Sequence, residues 1–89
     1  MMQRELEIIN KLGLHARAAA KLVKLAGSYQ SAIDIEKDGK RVNAKSIMGV
    51  MMLAASCGST VTLYVDGEDE ADAMAALEQL INNRFDEDE

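Results

Sequence analysis

The sequence predicts a two-layer α/β (α+β) open-faced sandwich, in which three helices cover one face of a four-stranded antiparallel sheet of order 1-4-2-3. Three observations predict this fold. Four short segments alternate apolar and polar residues, as half-buried strands do. Three longer segments place apolar residues at helical spacing. These segments follow one another in the order β-α-β-β-α-β-α.

The alternating segments predict four strands, at residues 4–9, 32–37, 40–44 and 60–66. In the first strand, Leu6 and Ile8 alternate with glutamates, and in the last, Val61, Leu63 and Val65 form one apolar face. An Asp-Gly pair separates the second and third strands, and this pair favours a two-residue hairpin turn because both central positions need positive φ.

The helical segments have recognisable ends. The first runs from Ala16 to about Ala26 and ends before a glycine, and the second begins after Ser46, a good N-cap, and continues to Ala54. The third begins near Asp69. Its predicted apolar stripe consists of Ala71, Met74, Leu77, Ile81 and Phe85.

The order of the elements fixes the topology. A crossover helix makes the first two strands parallel, the hairpin reverses the third strand, and the second crossover makes the fourth parallel to the third. The predicted order 1-4-2-3 then makes all neighbouring strands antiparallel. The chain has no proline, linker or repeat, so residues 1–89 form one predicted domain, with an acidic tail at about residues 86–89.

Composition excludes several classes of function. With 15 acidic and 10 basic residues the net charge is −5, and nucleic-acid binding rests on clustered positive charge, so we expect no nucleic-acid partner. No apolar run approaches the ~18 residues that span a bilayer. The first residues lack the apolar core of a secretory leader. We therefore expect a monomeric cytoplasmic protein that does not bind membranes.

Cys57 and His15 are the only cysteine and the only histidine. They cannot form an internal disulfide or a Cys/His zinc site, so we expect no metal and no cofactor. Cys57 is interpreted as a small buried apolar residue.

The loop from the first strand to the first helix has the residues of a phosphoryl-transfer site. Gly13 lies in this loop, and His15 falls at the first helical turn, where free backbone N–H groups and the helix dipole favour an anion. A neutral imidazole nitrogen is a nucleophile, and Arg17 offers a fork of donors to phosphate oxygens. The alternative is that His15 only caps the helix or lies at the surface.

Two interpretations also remain open for the second helix. Ser46 is expected to cap this helix, and it is also a candidate phosphorylation site, where a phosphate would add negative charge. The segment that follows is apolar on nearly all sides, so its methionines either pack in the core or form a docking surface.

Two motifs resemble those of the HPr family, the histidine-containing phosphocarriers of the bacterial phosphoenolpyruvate-dependent phosphotransferase system. Residues 11–17, KLGLHAR, look like the active-site motif, and residues 44–50, AKSIMGV, look like the serine motif. The resemblance covers nearly the whole chain, and it extends to the NPr branch of the family, which serves a nitrogen-related chain.

The resemblance implies a role for each matching residue. His15 would carry the phosphoryl group, Arg17 would stabilise it, and Ser46 would be a regulatory phosphoserine. Enzyme I would be the donor, an enzyme IIA protein the acceptor, and an HPr kinase/phosphorylase would act on Ser46. The implied docking residues, besides Arg17, are Ala20, Lys21, Lys24, Ile47, Met48 and Met51.

One position departs from the family pattern, because Ala18 stands where proline is common. Proline would fix φ in the first helical turn, so we expect a looser helix start but the same chemistry.

The sequence leaves three alternative functions for this protein. The first is a stoichiometric phosphocarrier rather than a turnover enzyme. The second is a regulatory binding module switched by phosphorylation of a serine or histidine, which would bind partners without passing phosphate on. The third is a small enzyme with His15 as general base, but the loop shows no second acid or base and a chain this short offers no obvious cleft.

Overall fold

The predicted elements occur in the predicted order and form one antiparallel sheet with three helices. The computed structural model describes residues 1–88. Its elements are β1 (Met2–Glu7), α1 (Ala16–Gly27), β2 (Ala32–Lys37), β3 (Lys40–Asn43), α2 (Ile47–Met52), β4 (Thr60–Asp66), α3 (Glu70–Asn82) and a 3-10 turn (Arg84–Asp86). The strand order is β1-β4-β2-β3, and all neighbours are antiparallel, which confirms the predicted fold.

One face of the sheet and the inner faces of the helices form a single core. Alternating residues of β2 and β4 are buried, whereas Thr62 and Tyr64 on the opposite face of β4 are partly exposed. The strands contribute Ile33, Ile35, Val61, Leu63 and Val65 to the core, and the helices contribute Ala18, Ala19, Leu22, Val50, Met74, Leu77 and Ile81. Burial of each large aliphatic side chain stabilises the fold by roughly 1.5–3 kcal/mol.

β1 begins and ends two residues earlier than the sequence predicts. Its register with β4 runs from Met2 opposite Val65 to Glu7 opposite Thr60. Ile8 leaves the strand but still donates its N–H to the Ser59 carbonyl at 2.8 Å, and it is completely buried. The apolar alternation therefore continues beyond the point where the regular ladder stops.

α2 is shorter than predicted because its end is closed by another element. The helix stops at Met52 and not at Ala54, whose φ of +51° is left-handed. The Lys37 ammonium donates to the carbonyls of Leu53 and Ala54 at 3.3 and 3.4 Å. A side chain from β2 thus donates to the carbonyls of the two residues that follow α2.

The predicted stripe of α3 is wrong at its two ends. Ala71 is exposed and Ala73 is buried in its place, because residues at intervals of four, such as Ala73 and Leu77, also share one helix face. Phe85 is completely buried but lies beyond the helix, in a turn with a φ of +54°.

The expectation that Cys57 is buried is also wrong. Its side chain is exposed, in the turn that precedes β4, where Gly58 has a φ of +93°. The chain reverses direction there and the side chain points away from the core.

Candidate functional site

A tight loop positions the start of α1. Gly13 has a φ of +69°, and a Cβ placed on it would lie 2.5 Å from the Ala55 carbonyl oxygen. Leu14 donates its N–H to the same carbonyl at 2.8 Å. Only glycine allows both this φ and this close approach. The loop is therefore held against the segment between α2 and β4, and the residue after Leu14 is placed at the helix entrance.

His15 is the N-cap residue of α1. Its backbone is extended, with φ −73° and ψ 178°, and its carbonyl accepts the first helical bond, from Ala19, at 2.8 Å. The ring Nδ1 accepts a hydrogen bond from the Arg17 backbone N–H at 3.2 Å. His15 therefore caps the helix, and the cap brings Nδ1 directly to the positive end of the helix.

Arg17 lies two residues after His15, in the first turn of α1. Arg17 is exposed, and its guanidinium has no hydrogen-bond or ion-pair partner within residues 1–88. Arg17 and His15 line one open depression together with Lys11, Leu12, Ala16, Lys21, Asp86, Glu87 and Asp88. Backbone N–H groups and a guanidinium without another partner in residues 1–88 are therefore available to an anion at the same surface.

The acidic tail also reaches this site, which the sequence did not predict. The Glu87 carboxylate is hydrogen-bonded to His15 Nε2 through one oxygen. Its other oxygen accepts from the Asn10 amide at 3.0 Å. The Asn10 and then the His15 hydrogen bond hold the pKa of Glu87 below its usual value. Both ring nitrogens of His15 are therefore engaged, Nδ1 by the helix and Nε2 by the tail. Glu89 of the predicted tail lies outside the described residues.

Ser46 is the N-cap of α2. Its Oγ accepts the Gly49 backbone N–H at 3.2 Å, and its backbone is extended. A Cβ on Gly49 would lie 3.3 Å from the Val42 Cβ, so the small residue lets α2 pack closely on β3. Ser46 is only partly buried.

An exposed apolar patch continues from Ser46 along α2. Met48 is 68% exposed and Met52 60%, and Ile47 and Met51 are also open to solvent. Leu12, which is not among the predicted docking residues, is 69% exposed in the loop before His15. α1 packs against α2 and carries the exposed Ala20 and Lys24 and the partly buried Lys21. We call Leu12, Ala20, Lys24, Ile47, Met48, Met51 and Met52 the apolar-basic face.

Two features are absent from residues 1–88. No helix there is long and apolar enough to cross a membrane. The described residues also contain no cluster of three His, Cys, Asp or Glu side chains that could hold a metal ion.

Comparison with known proteins identifies the family. A family model described as the PTS HPr component phosphorylation site matches residues 2–83. The chain belongs to the HPr family. It is 63% identical to the phosphocarrier protein HPr of Cupriavidus necator over 89 residues, with 100% of both chains covered. It is 56% identical to the HPr of Xylella fastidiosa over 88 residues, with 99% of both covered.

Solved HPr structures share the fold over at least 90% of this chain. The crystal structure of HPr-C-His from Thermoanaerobacter tengcongensis matches with a TM-score of 0.96 and 49% identity, covering 100% of both chains. HPr from Bacillus anthracis matches with a TM-score of 0.87 and 45% identity, covering 90% of this chain and 95% of that one. An HPr dimer from T. tengcongensis matches at 0.79 and 50% identity, covering 98% and 100%. The monomeric state of this chain stays a prediction.

Proposed function

We propose that this HPr-family protein accepts a phosphoryl group from phosphorylated enzyme I onto Nδ1 of His15 and passes it to an enzyme IIA protein. One observation supports the proposal above all others. The Nδ1 atom lies at the N-terminus of α1, 3.2 Å from the Arg17 backbone nitrogen, and Arg17 lines the same depression as His15. The protein would act in the cytoplasm as a stoichiometric carrier and not as a turnover enzyme.

The proposed step is an in-line displacement at phosphorus. The Nδ1 lone pair forms the P–N bond, and the bond from phosphorus to the donor breaks with its electron pair remaining on the donor. Negative charge is spread over the three equatorial oxygens, so catalysis consists of positioning and charge stabilisation. The Arg17 N–H, released from Nδ1, and the guanidinium would donate to these oxygens.

The apolar-basic face is the proposed docking surface for both partners. Its methionines can adapt to more than one surface, which suits a carrier that meets a donor and an acceptor in turn. Arg17, Lys21 and Lys24 add positive charge to an otherwise acidic protein, so a partner with an acidic rim would be steered towards His15.

The carrier proposal is tested with ³²P-labelled phosphoenolpyruvate and catalytic enzyme I. We expect stoichiometric labelling of the chain, in an adduct that is labile in acid and stable in base. Addition of a IIA protein should then move the label to that protein. Binding without transfer of label would instead support the regulatory module, and no labelling would contradict the carrier proposal.

Regulation at Ser46 is a second part of the proposal, with an HPr kinase/phosphorylase as the modifying enzyme. Ser46 is partly buried at the start of α2, next to the exposed Ile47 and Met48 of the apolar-basic face. A phosphate there adds about −1.5 to −2 charge, which would repel an acidic donor surface.

We expect Ser46→Asp to lower the rate of phosphoryl uptake from enzyme I about tenfold at low ionic strength, because an added negative charge opposes electrostatic steering. Its stability should stay near that of the unmodified protein, since aspartate also caps helices. Ser46→Asn is the matched control, with a cap but no charge, and should transfer normally. Stopped-flow transfer rates measure the effect. Equal rates for the Asp and Asn variants would contradict the charge mechanism.

A further inference from the structure

The C-terminal segment is placed over His15 by the fold itself. After α3, three successive residues, Arg84, Phe85 and Asp86, have left-handed φ values of 57°, 54° and 62° and turn the chain back towards α1. The Phe85 side chain is completely buried in the core. The Lys21 ammonium donates to the Phe85 carbonyl at 2.7 Å. The residue that follows this anchored turn is Glu87.

The Glu87 carboxylate is held at both oxygens. One oxygen accepts from the amide of Asn10, which is completely buried and also donates to the Gly13 carbonyl at 2.8 Å. The other oxygen is hydrogen-bonded to His15 Nε2. The Glu87 side chain is only 16% exposed. Asn10 thus connects the carboxylate to the same glycine loop that positions the imidazole ring.

The contacts at the two ring nitrogens assign the proton of neutral His15. Nδ1 accepts the Arg17 N–H, so it carries a lone pair. Nε2 faces a carboxylate, and an ionised carboxylate only accepts hydrogen bonds, so Nε2 carries the proton. Neutral His15 is therefore the Nε2–H tautomer, with the lone pair of Nδ1 aimed at the helix N-terminus.

We propose that Glu87 is a positioning residue for phosphoryl transfer, which holds the Nε2 proton and offsets the positive charge that the ring gains as Nδ1 bonds to phosphorus. The inference rests on the proposed function. When the Nδ1 lone pair enters the P–N bond, the Nε2 proton stays in place, and the ring changes from neutral to cationic. When the group leaves for an acceptor, the P–N electron pair returns to Nδ1 and the ring is neutral again. A fixed carboxylate on the far nitrogen of a histidine stabilises such a cation.

The same contact could have the opposite effect, if the tail shielded His15 from its donor. The two effects would change the transfer rate in opposite directions. A positioning carboxylate makes transfer faster than in a neutral variant, whereas a shielding tail makes it slower. Glu87→Gln separates them because it keeps the size of the side chain and removes only the charge.

The first measurement uses the unphosphorylated protein and no partner. We expect a His15 Nε2–H proton resonance, identified through its ¹⁵N coupling, that is shifted downfield by the carboxylate. It should move upfield in Glu87→Gln and broaden through solvent exchange in Glu87→Ala. Glu68→Gln is the matched control, since Glu68 is exposed and lies outside the depression around His15, and should leave the resonance unchanged. An identical resonance in all variants would overturn the inference.

The second measurement is the single-turnover rate of phosphoryl uptake from phosphorylated enzyme I. We expect the rate to decrease about tenfold in Glu87→Gln and to recover partly in Glu87→Asp. This decrease is at the lower end of the range seen when a carboxylate that supports a functional histidine is removed. Glu68→Gln should react at the unmodified rate. A rate in Glu87→Gln equal to or above that of the unmodified protein would overturn the inference. Loss of uptake in every protein, including the unmodified one, would contradict the proposed function, and the resonance would still decide whether Glu87 holds the Nε2 proton.

Discussion

Phosphoryl uptake from enzyme I should be lost completely in His15→Asn, while the protein stays folded. The variant removes the only imidazole in the chain, and no other described side chain in the depression around Arg17 can form a phosphoramidate through a neutral aromatic nitrogen. Asparagine is among the best N-cap residues, so its side-chain oxygen can accept the Arg17 N–H in place of Nδ1. The loss of activity is then separated from the loss of the cap.

His15→Ala is the companion variant. It removes both the nucleophile and the cap, and should lower the free energy of unfolding by about 1 kcal/mol. Urea unfolding followed by circular dichroism measures the stability of both variants, and intact-protein mass spectrometry in base measures uptake. Phosphorylation of His15→Asn at the unmodified level would place the acceptor at another residue and exclude the mechanism.

Arg17→Ala should reduce the rate of transfer about 100-fold, with little effect on stability. The guanidinium is exposed and has no partner within residues 1–88, so the fold does not depend on it, and alanine is the best helix former. In the transition state, the same group would donate to oxygens that carry developing charge. Removal of one such donor typically lowers rates by about 10²- to 10³-fold, and an open site lies at the weaker end of this range.

Two variants separate the geometry of Arg17 from its charge. Arg17→Lys keeps the charge but loses the rigid fork, and should recover part of the rate. Lys40→Ala removes a positive charge from the exposed hairpin end of β3, and should leave the rate unchanged. Single-turnover kinetics measure the three variants. If Lys40→Ala slows transfer as much as Arg17→Ala, only net charge matters and the assigned role of Arg17 is wrong.

The topology could be predicted because each element has a strong local pattern. Alternating residues such as Val61 and Leu63 fixed which face of β4 is buried, and the Asp-Gly pair after β2 fixed the hairpin. Once the order of helices and strands was known, chain connectivity fixed the relative directions of the strands, and the observed order is one of the few in which all neighbours are antiparallel. Only the boundaries moved, where side chains such as Lys37 complete a helix end from another element.

The site could be predicted only in part, for a physical reason. His15, Arg17 and Ser46 lie at helix starts, where the sequence shows both the cap and the helix that follows. Glu87 contacts His15 across 72 residues, and its position depends on the left-handed turn around Phe85. Helical spacing instead assigned Phe85 to α3, and the acidic tail was expected only as a charged end. Nothing local distinguishes Glu87 from the aspartates beside it.

Ala18 departs from the family pattern, in which proline is common at this position. It is completely buried in the first turn of α1, so the apolar contact at this position is kept. Unlike proline, alanine retains a backbone N–H, and the N–H groups of a first helical turn lack intrahelical acceptors. The helix start in this chain therefore offers one more potential donor to an oxyanion, at the cost of the φ restriction that proline would supply.

The nitrogen that carries phosphorus is the most direct test of the central claim, that an oxyanion is received at the N-terminus of α1. Uniformly ¹⁵N-labelled protein is phosphorylated with enzyme I and phosphoenolpyruvate, and ³¹P–¹⁵N coupling is recorded in base. We predict coupling to Nδ1 of His15, together with a large shift of the Arg17 amide resonance as its N–H passes from the ring to the phosphoryl oxygens. Coupling to Nε2, or an Arg17 amide that does not respond, would contradict this account of the site.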